Sequence, residues 1–332
     1  MGFPNPHVSV TILGLVSVFF WVPFWGPILG DFLNILMLPV EVRGFWHWID
    51  YLVAEAKASG KEPLFLNLDE TSISQWWSQP KGCVVSRKRW RDGAPPKAGV
   101  PANRRRGAVT LCALITHKTD VQPFLPQLVL GNKRILPPSF CAEVSAGPVK
   151  FWSEASGWMT HAVLLRYLSL LTEVLHGLPQ YRPVLIMDCA PAHMSAEILA
   201  FARDNGLRLC FVPGGCTGHV QPLDVMCFSP LKAFLRREAR DVLARKASFT
   251  KLDWLLTINK AATEFLRGKR WAPVFHQCGV IGDRRGLKGF LSTMAAKYKE
   301  VEPAPVIPSP AIISALLPRN RSISYKDLFP EH

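Results

Sequence analysis

The stretch Leu64-Phe65-Leu66-Asn67-Leu68-Asp69-Glu70-Thr71 constrains the fold more than any other part of the chain. A short apolar run ending in an acid pair reads as a strand buried within a sheet, delivering Asp69 to the sheet's edge. The pattern recurs at Pro183-Val184-Leu185-Ile186-Met187-Asp188, followed by Cys189-Ala190-Pro191-Ala192-His193. A third acid, Asp224, follows Val220-Gln221-Pro222-Leu223 and opens a basic helical stretch. Any one of these aspartates alone fits a helix cap or a surface turn equally well. Two at strand ends and a third at a helix start point to a metal site assembled from distant parts of the chain.

Between these acids the pattern alternates strands with helices. Residues 43–58 place Trp46, Ile49, Leu52, Val53 and Ala56 at helical spacing, and Ser59-Gly60-Lys61 stops the helix. Alternating residues at Cys83–Val85 and Ala108–Ile115, with Pro123–Leu130, read as a meander. Helices are expected at 161–176 and 195–205, a strand at Leu207–Val212, and a further helix at 250–267. This order suits an α/β fold: a five-stranded mixed sheet with helices on both faces. Three segments are expected, an apolar stretch over 1–42, a catalytic domain over 43–295 and a Pro-rich tail over 296–332 that reads as linker.

The apolar stretch leaves two readings open. Val8 to Gly30 carries no charged residue and is long enough for a bilayer. Pro23, Pro27, Gly14, Gly26 and Gly30 interrupt it, and no Lys/Arg asymmetry sets an orientation. No basic segment precedes it, so a secretory signal fits poorly. A membrane segment and a leader both remain.

Charge narrows the class of partner. The formal net charge of +14 favours a polyanion, most simply nucleic acid. Lys81 to Arg106 holds nine Lys/Arg against the single acid Asp92, and Trp90 lies among Arg87, Lys88, Arg89 and Arg91, with Arg104, Arg105 and Arg106 closing the run. A solvated loop mixes its signs, and this one does not, which points to phosphate contact. After Asp224, Lys232, Arg236 and Arg240 fall at i, i+4 and i+8, on one helix face. Arg267, Lys269, Arg270 and the pair Arg284-Arg285 extend the basic surface. The eight cysteines form no C-x-x-C pair, which speaks for reduced, buried thiols rather than disulfides or zinc.

Carboxylates brought together repel each other, and a divalent cation relieves the repulsion. Asp and Glu oxygens suit hard Mg²⁺ or Mn²⁺, and two such ions can serve an in-line phosphoryl displacement. Asp69, Asp188 and Asp224 are the expected ligands, with Glu70 and His193 as orienting candidates. A haloacid-dehalogenase-type site fails because Asn67 stands where the first, nucleophilic Asp of D-x-D-x-T belongs. A P-loop or dinucleotide reading fails because no strand leads into a Gly-rich phosphate loop.

Asn67-Leu68-Asp69-Glu70-Thr71, Ser156-Gly157-Trp158-Met159-Thr160, Met187-Asp188-Cys189-Ala190-Pro191-Ala192-His193 and Gln221-Pro222-Leu223-Asp224 occur in that order. Together they resemble the DDE superfamily endonuclease domain of pogo/Tigger-type transposases, in the mariner superfamily that includes centromere-protein-B-like proteins. The 35 residues between Asp188 and Asp224 (224 − 188 − 1) are similar to that family's spacing. The likeness covers roughly residues 60–285. It implies an RNase H-like fold, a triad of Asp69, Asp188 and Asp224 holding two Mg²⁺ (or Mn²⁺), and cleavage and joining of DNA strands in the nucleus. It makes Gln221 a further orienting candidate. Cys189 stands where the family usually has Asn, and Pro213-Gly214-Gly215-Cys216-Thr217-Gly218 replaces the family's Pro-Pro-Asn-Thr-Thr-Ser. These departures leave a catalytically silent DNA-binding protein as the alternative. A homodimer, and a separate chain for recognising DNA ends, are further expectations.

Overall fold

The computed structural model describes residues 26–74, 107–144, 147–246, 249–301, 307–318 and 323–329. Its centre is strand β1 (Glu62–Ser74), in which Leu64 through Asp69 are buried without a break. A strand buried at successive positions has both faces covered. β1 lies antiparallel to β2 (Ala108–Thr116) and parallel to β5 (Tyr181–Asp188). β3 (Gln127–Asn132) pairs antiparallel with β2, and β6 (Arg208–Val212) parallel with β5. The order β3-β2-β1-β5-β6 is the RNase H-like arrangement expected from the sequence.

The sheet has six strands, however, not five. β4 (Val149–Glu154) adds an edge parallel to β3, giving β4-β3-β2-β1-β5-β6. Only Val149 and Phe151 of β4 are buried, so its apolar signal is too short to stand out in the sequence. The strand expected from Pro123 begins later, because Gln122–Phe124 form a 3₁₀ turn first. Gln122 closes that turn from inside: its Oε1 accepts the Thr116 N–H at 2.7 Å and its Nε2 donates to Leu266 O at 3.0 Å. The proposed strand at Cys83–Val85 lies outside the described residues.

Helix α1 (Gly26–Ala58) runs through the point where the composition changes, and packs Val42, Phe45, Trp46, Ile49, Leu52 and Ala56 into the core. A short helix α2 (Pro138–Val144) precedes β4. Helix α3 (His161–His176) has the bounds expected from its leucines, with the Thr160 hydroxyl accepting the Val163 N–H as its cap. Helix α4 (Ala196–Asp204) is capped in the same way by Ser195. Beyond β6 come α5 (Thr217–Val220), a π-helical turn Leu223–Cys227, α6 (Phe228–Arg245) and α7 (Lys251–Lys260), which continues as a second π-helical stretch, Ala261–Arg267. Helices α8 (Ala272–Gln277) and α9 (Gly289–Val301) follow.

The loop after α8 closes on α1 through Gly279. Its φ of +71° is one that L side chains rarely adopt, and a Cβ there would sit 2.7 Å from the Trp46 ring. The Trp46 Nε1–H donates to Cys278 O at 3.1 Å, fastening the same junction. Arg284, expected on a basic surface, instead makes a two-pronged ion pair with Asp50 at 2.8 Å and stacks over Trp46 and Tyr298. It is a tie between α1 and the loop rather than a free cation.

The tail is likewise not a bare linker. α10 (Pro310–Leu316) buries Ile313 and Leu316 and meets α1 at Gly44, and past α11 (Tyr325–Leu328) Phe329 packs on Trp48 and Tyr51. Prolines flank an apolar spacing that is sufficient to dock a two-turn helix. Among the described residues, no helix is long and apolar enough to cross a membrane. Most of the apolar stretch 8–30 lies outside them.

Candidate active site where β1 passes the end of β5

Side chains alternate across a strand, so Asn67 and Asp69 of β1 share one face and Glu70 takes the other. The last β1–β5 pair is Asn67 with Ile186, and Asp69 and Asp188 each lie two residues beyond it on neighbouring strands. Asn67 draws in the third element. Its Oδ1 accepts the Leu223 N–H at 2.8 Å, while its Nδ2 donates to Ile186 O at 3.0 Å. One fully buried side chain thus fixes β1, β5 and the π-helical turn that carries Asp224. In the sequence Asn67 excludes a haloacid-dehalogenase-type site and opens the first of the four resemblance motifs, without a structural role of its own. A polar residue within an otherwise apolar buried run was the available signal.

The electrostatics record how close the acids are. Asp69 is pushed up to about 8, first by burial and then by the charges of Asp224, Glu70 and Asp188. Burial and the Asp188 charge also raise Asp224, opposed by Lys232 and by a hydrogen bond from Thr217. Asp188 behaves differently. Burial works to raise it, but His193 and the Ala190 N–H hold it below the usual carboxylate range.

His193 is the hub of that second arrangement. Its Nδ1 lies 2.6 Å from Asp188 Oδ1 and its Nε2 3.1 Å from Glu70 Oε1, with the ring almost wholly buried. Burial alone would lower it, yet the bonds to Asp188 and Glu70 bring it up to about 10, so the ring is an imidazolium at neutral pH. Both orienting candidates, Glu70 and His193, therefore act on Asp188. Gln221 is different again. It is fully buried, and neither its Oε1 nor its Nε2 has a hydrogen-bond partner, an exceptional state for a buried amide.

The donor set suits a hard divalent cation. Asp69 Oδ1 accepts the Glu70 N–H, and Asp188 Oδ1 is taken by Ala190 N–H and His193, which leaves each Oδ2 for another partner. Among the described residues, no three His, Cys, Asp or Glu side chains already stand in ligating geometry. Cys189, next to Asp188, turns its thiol to Val212 O at 3.2 Å.

Of the basic residues, Lys232 lies near enough to Asp224 to lower it, and Arg236 and Arg240 are exposed on the same helix, α6. Arg87, Lys88, Arg89, Arg91, Arg104, Arg105 and Arg106 lie outside the described residues. The register nevertheless fixes where their stretch leaves and rejoins the sheet, since Ser74 is paired with Ala108.

Residues 104–266 match the family model of the DDE superfamily endonucleases. That span is 163 of the chain's 332 residues (266 − 104 + 1). Human "Pogo transposable element with ZNF domain" is 36% identical over 70 residues, which is 21% of this chain and 5% of that protein. Mouse "Pogo transposable element with KRAB domain" is 22% identical over 134 residues, 40% of this chain and 21% of that one. A Cochliobolus lunatus protein named "MFS-type transporter clz9" is 25% identical over 128 residues, 38% of this chain and 14% of that one. The chain thus spans about a fifth or less of these relatives' lengths. Among solved structures, the Mos1 transposase paired-end complex with left transposon end has 14% identity at TM-score 0.38, over 73% of this chain and 62% of that one. The DDE domain's matched span takes in Asp188 and Asp224, while Asp69 lies ahead of it.

Proposed function

We propose that this chain is a transposase-derived, metal-dependent DNA endonuclease and strand transferase. One observation carries the reading. Asp69, Asp188 and Asp224, far apart in sequence, are electrostatic neighbours, Asp69 within β1 beside the end of β5 where Asp188 stands, and Asn67 fixes the turn bearing the third. Asp69, Asp188 and Asp224 would hold two Mg²⁺ or Mn²⁺, which when bound supply Lewis acidity for displacement at phosphorus. The remaining work falls to the chain's own groups. His193 and Ala190 fix Asp188 in one orientation, and the buried ion pair to Glu70 keeps the imidazolium in place. Lys232, Arg236 and Arg240 offer a row of cations to a phosphate backbone beginning beside Asp224. Gln221 offers a buried amide to a group that the protein itself does not provide. The expected setting is the nucleus, with the chain working as a homodimer and a separate chain recognising DNA ends.

The test is nicking of supercoiled plasmid DNA by the full chain in Mg²⁺ or Mn²⁺, against Asp69→Ala, Asp188→Ala and Asp224→Ala. Cleavage by the parent and none by the three variants is the expected result, and four equal activities overturn the proposal. A second reading, DNA binding without cleavage, draws on the departures from the family's pattern at Cys189 and at Pro213-Gly214-Gly215-Cys216-Thr217-Gly218. Salt-dependent binding by a parent that cuts nothing in either metal selects it.

A further inference from the structure

Beside the Asp188–His193 pair, on the face of β1 that carries Glu70, β1 and β2 form the floor of an open cleft of about 340 Å³ whose open volume the cleavage scheme leaves unused. The floor is a cross-strand pair, Ser72 opposite Thr110, with Glu70 next along. One wall is the Ala190–His193 turn that follows Asp188. The other is Trp158 with Met159. Trp158 is 73% exposed, more than any other large hydrophobic residue among the described residues.

A loop tryptophan left in water normally has a flexible neighbourhood, and this one does not. Immediately before it, Gly157 O accepts the Thr110 hydroxyl at 2.6 Å. Two residues after it, Thr160 caps α3. The indole is therefore held out from the sheet by two fixed points, with an apolar wall across the cleft and hydroxyls beneath.

Resting on the DNA-processing reading of the neighbouring site, we infer that this cleft receives one unstacked nucleobase of the strand being processed, sandwiched against Trp158. Three observations favour a base over other occupants. An indole face accepts any base plane, because stacking needs no particular hydrogen-bond code. Ser72 and Thr110 line the cleft floor, where Ser72 offers a hydroxyl that can donate or accept and Thr110, whose O–H is committed to Gly157 O, offers its oxygen as an acceptor. Glu70 and His193 line the cleft and bond to each other, and His193 also bonds to Asp188, so the cleft adjoins the proposed cleavage site through His193. Taking a base out of the stack costs free energy, and an exposed, rigid aromatic platform offsets that cost by restacking it.

The experiment uses the full chain in chelator, so that no cleavage intervenes, and a short single-stranded oligonucleotide carrying 2-aminopurine. The parent should bind and quench the probe. Trp158→Ala should weaken binding about tenfold or more and abolish the quenching, whereas Trp158→Phe should retain much of both. An oligonucleotide with an abasic site in place of the probe should bind the parent as weakly as the intact probe binds Trp158→Ala. Equal affinity and equal quenching in parent and Trp158→Ala, or no binding by the parent, overturns the inference. Asp69→Ala separates it from the nuclease proposal: that variant should lose cleavage yet keep Trp158-dependent quenching. If the parent proves unable to cut but Trp158-dependent quenching persists, the base-binding cleft stands and the nuclease proposal falls.

Discussion

Asn67→Ala tests the assembly of the site more directly than removing any aspartate. Asn67 is fully buried, accepting the Leu223 N–H at 2.8 Å and donating to Ile186 O at 3.0 Å. A further contact, to Leu68 O at 3.5 Å, is at the limit for a hydrogen bond. Truncation leaves one backbone N–H and one backbone C=O buried without these partners. Each abandoned group costs about 1–3 kcal/mol, so the loss should be about 2–6 kcal/mol before any relaxation. Asn67→Leu keeps most of the volume but neither bond, and should lose a similar amount. Asn67→Asp can still accept from Leu223 but cannot donate to Ile186, and it adds an anion beside Asp69. It should be the least stable of the three near neutral pH. Urea unfolding gives the stability changes from the midpoints, at an unchanged slope. Plasmid nicking on the same samples, at urea concentrations where each is folded, reports the position of Asp224. A loss below about 1 kcal/mol in both Asn67→Ala and Asn67→Leu would refute the structural tie. Full cleavage by a destabilised variant would refute its role in placing Asp224.

Asp69 predicts an acid-side stability optimum in the absence of divalent ions. Its folded value of about 8 lies above its ordinary 3.8, so its burial penalty grows as pH rises from about 4 to about 8 and is complete above that. Asp69→Asn should flatten the thermal midpoint across that window, and millimolar Mg²⁺ should do the same for the parent. His193 also makes stability fall as pH rises, but in another window and by losing a stabilising charge rather than by gaining a penalised one. Raised to about 10 from 6.5, it stabilises fully below pH 6.5 and ceases to do so as pH passes 10, so His193→Gln should reduce stability most below pH 6.5. Gly279→Ala forces a positive φ and a contact with the Trp46 ring, and thermal melts should show a loss of several kcal/mol, far more than Gly60→Ala, where the space is open. Replacing Lys232, Arg236 and Arg240 together with alanine should weaken duplex binding and lower the slope of log K against log salt by up to about 3, read by a salt titration.

What could be read from the sequence follows how each residue earns its place. β1 and β5 were legible because a central strand needs a continuous apolar run. β5 does end at its acid, but β1 runs on past Asp69 to Ser74 because Glu70 to Ser74 stay paired with β2, so Asp69 lies within the sheet and not at its edge. β4 was obscure because an edge strand needs only two buried side chains. The tail misled because its prolines outweighed Ile313 and Leu316, which dock on α1. Asp224 was legible through the motif preceding it, but the π-helical turn that presents it follows from Asn67, 156 residues away, and from nothing local. The same holds for His193. Its place after Asp188 was visible, but its second bond, to Glu70, depends on β1 and β5 being neighbours.

That 156-residue reach also has a temporal side. At about 5–20 residues per second, a growing polypeptide would expose β1 roughly 10–30 s before Leu223 emerges from the ribosome. During that interval the amide of Asn67 lacks its far partner, and the aspartates cannot gather. On the proposed reading, nuclease chemistry should therefore be among the last properties the nascent chain acquires, and a stop just before residue 223 would leave all six strands without the third aspartate.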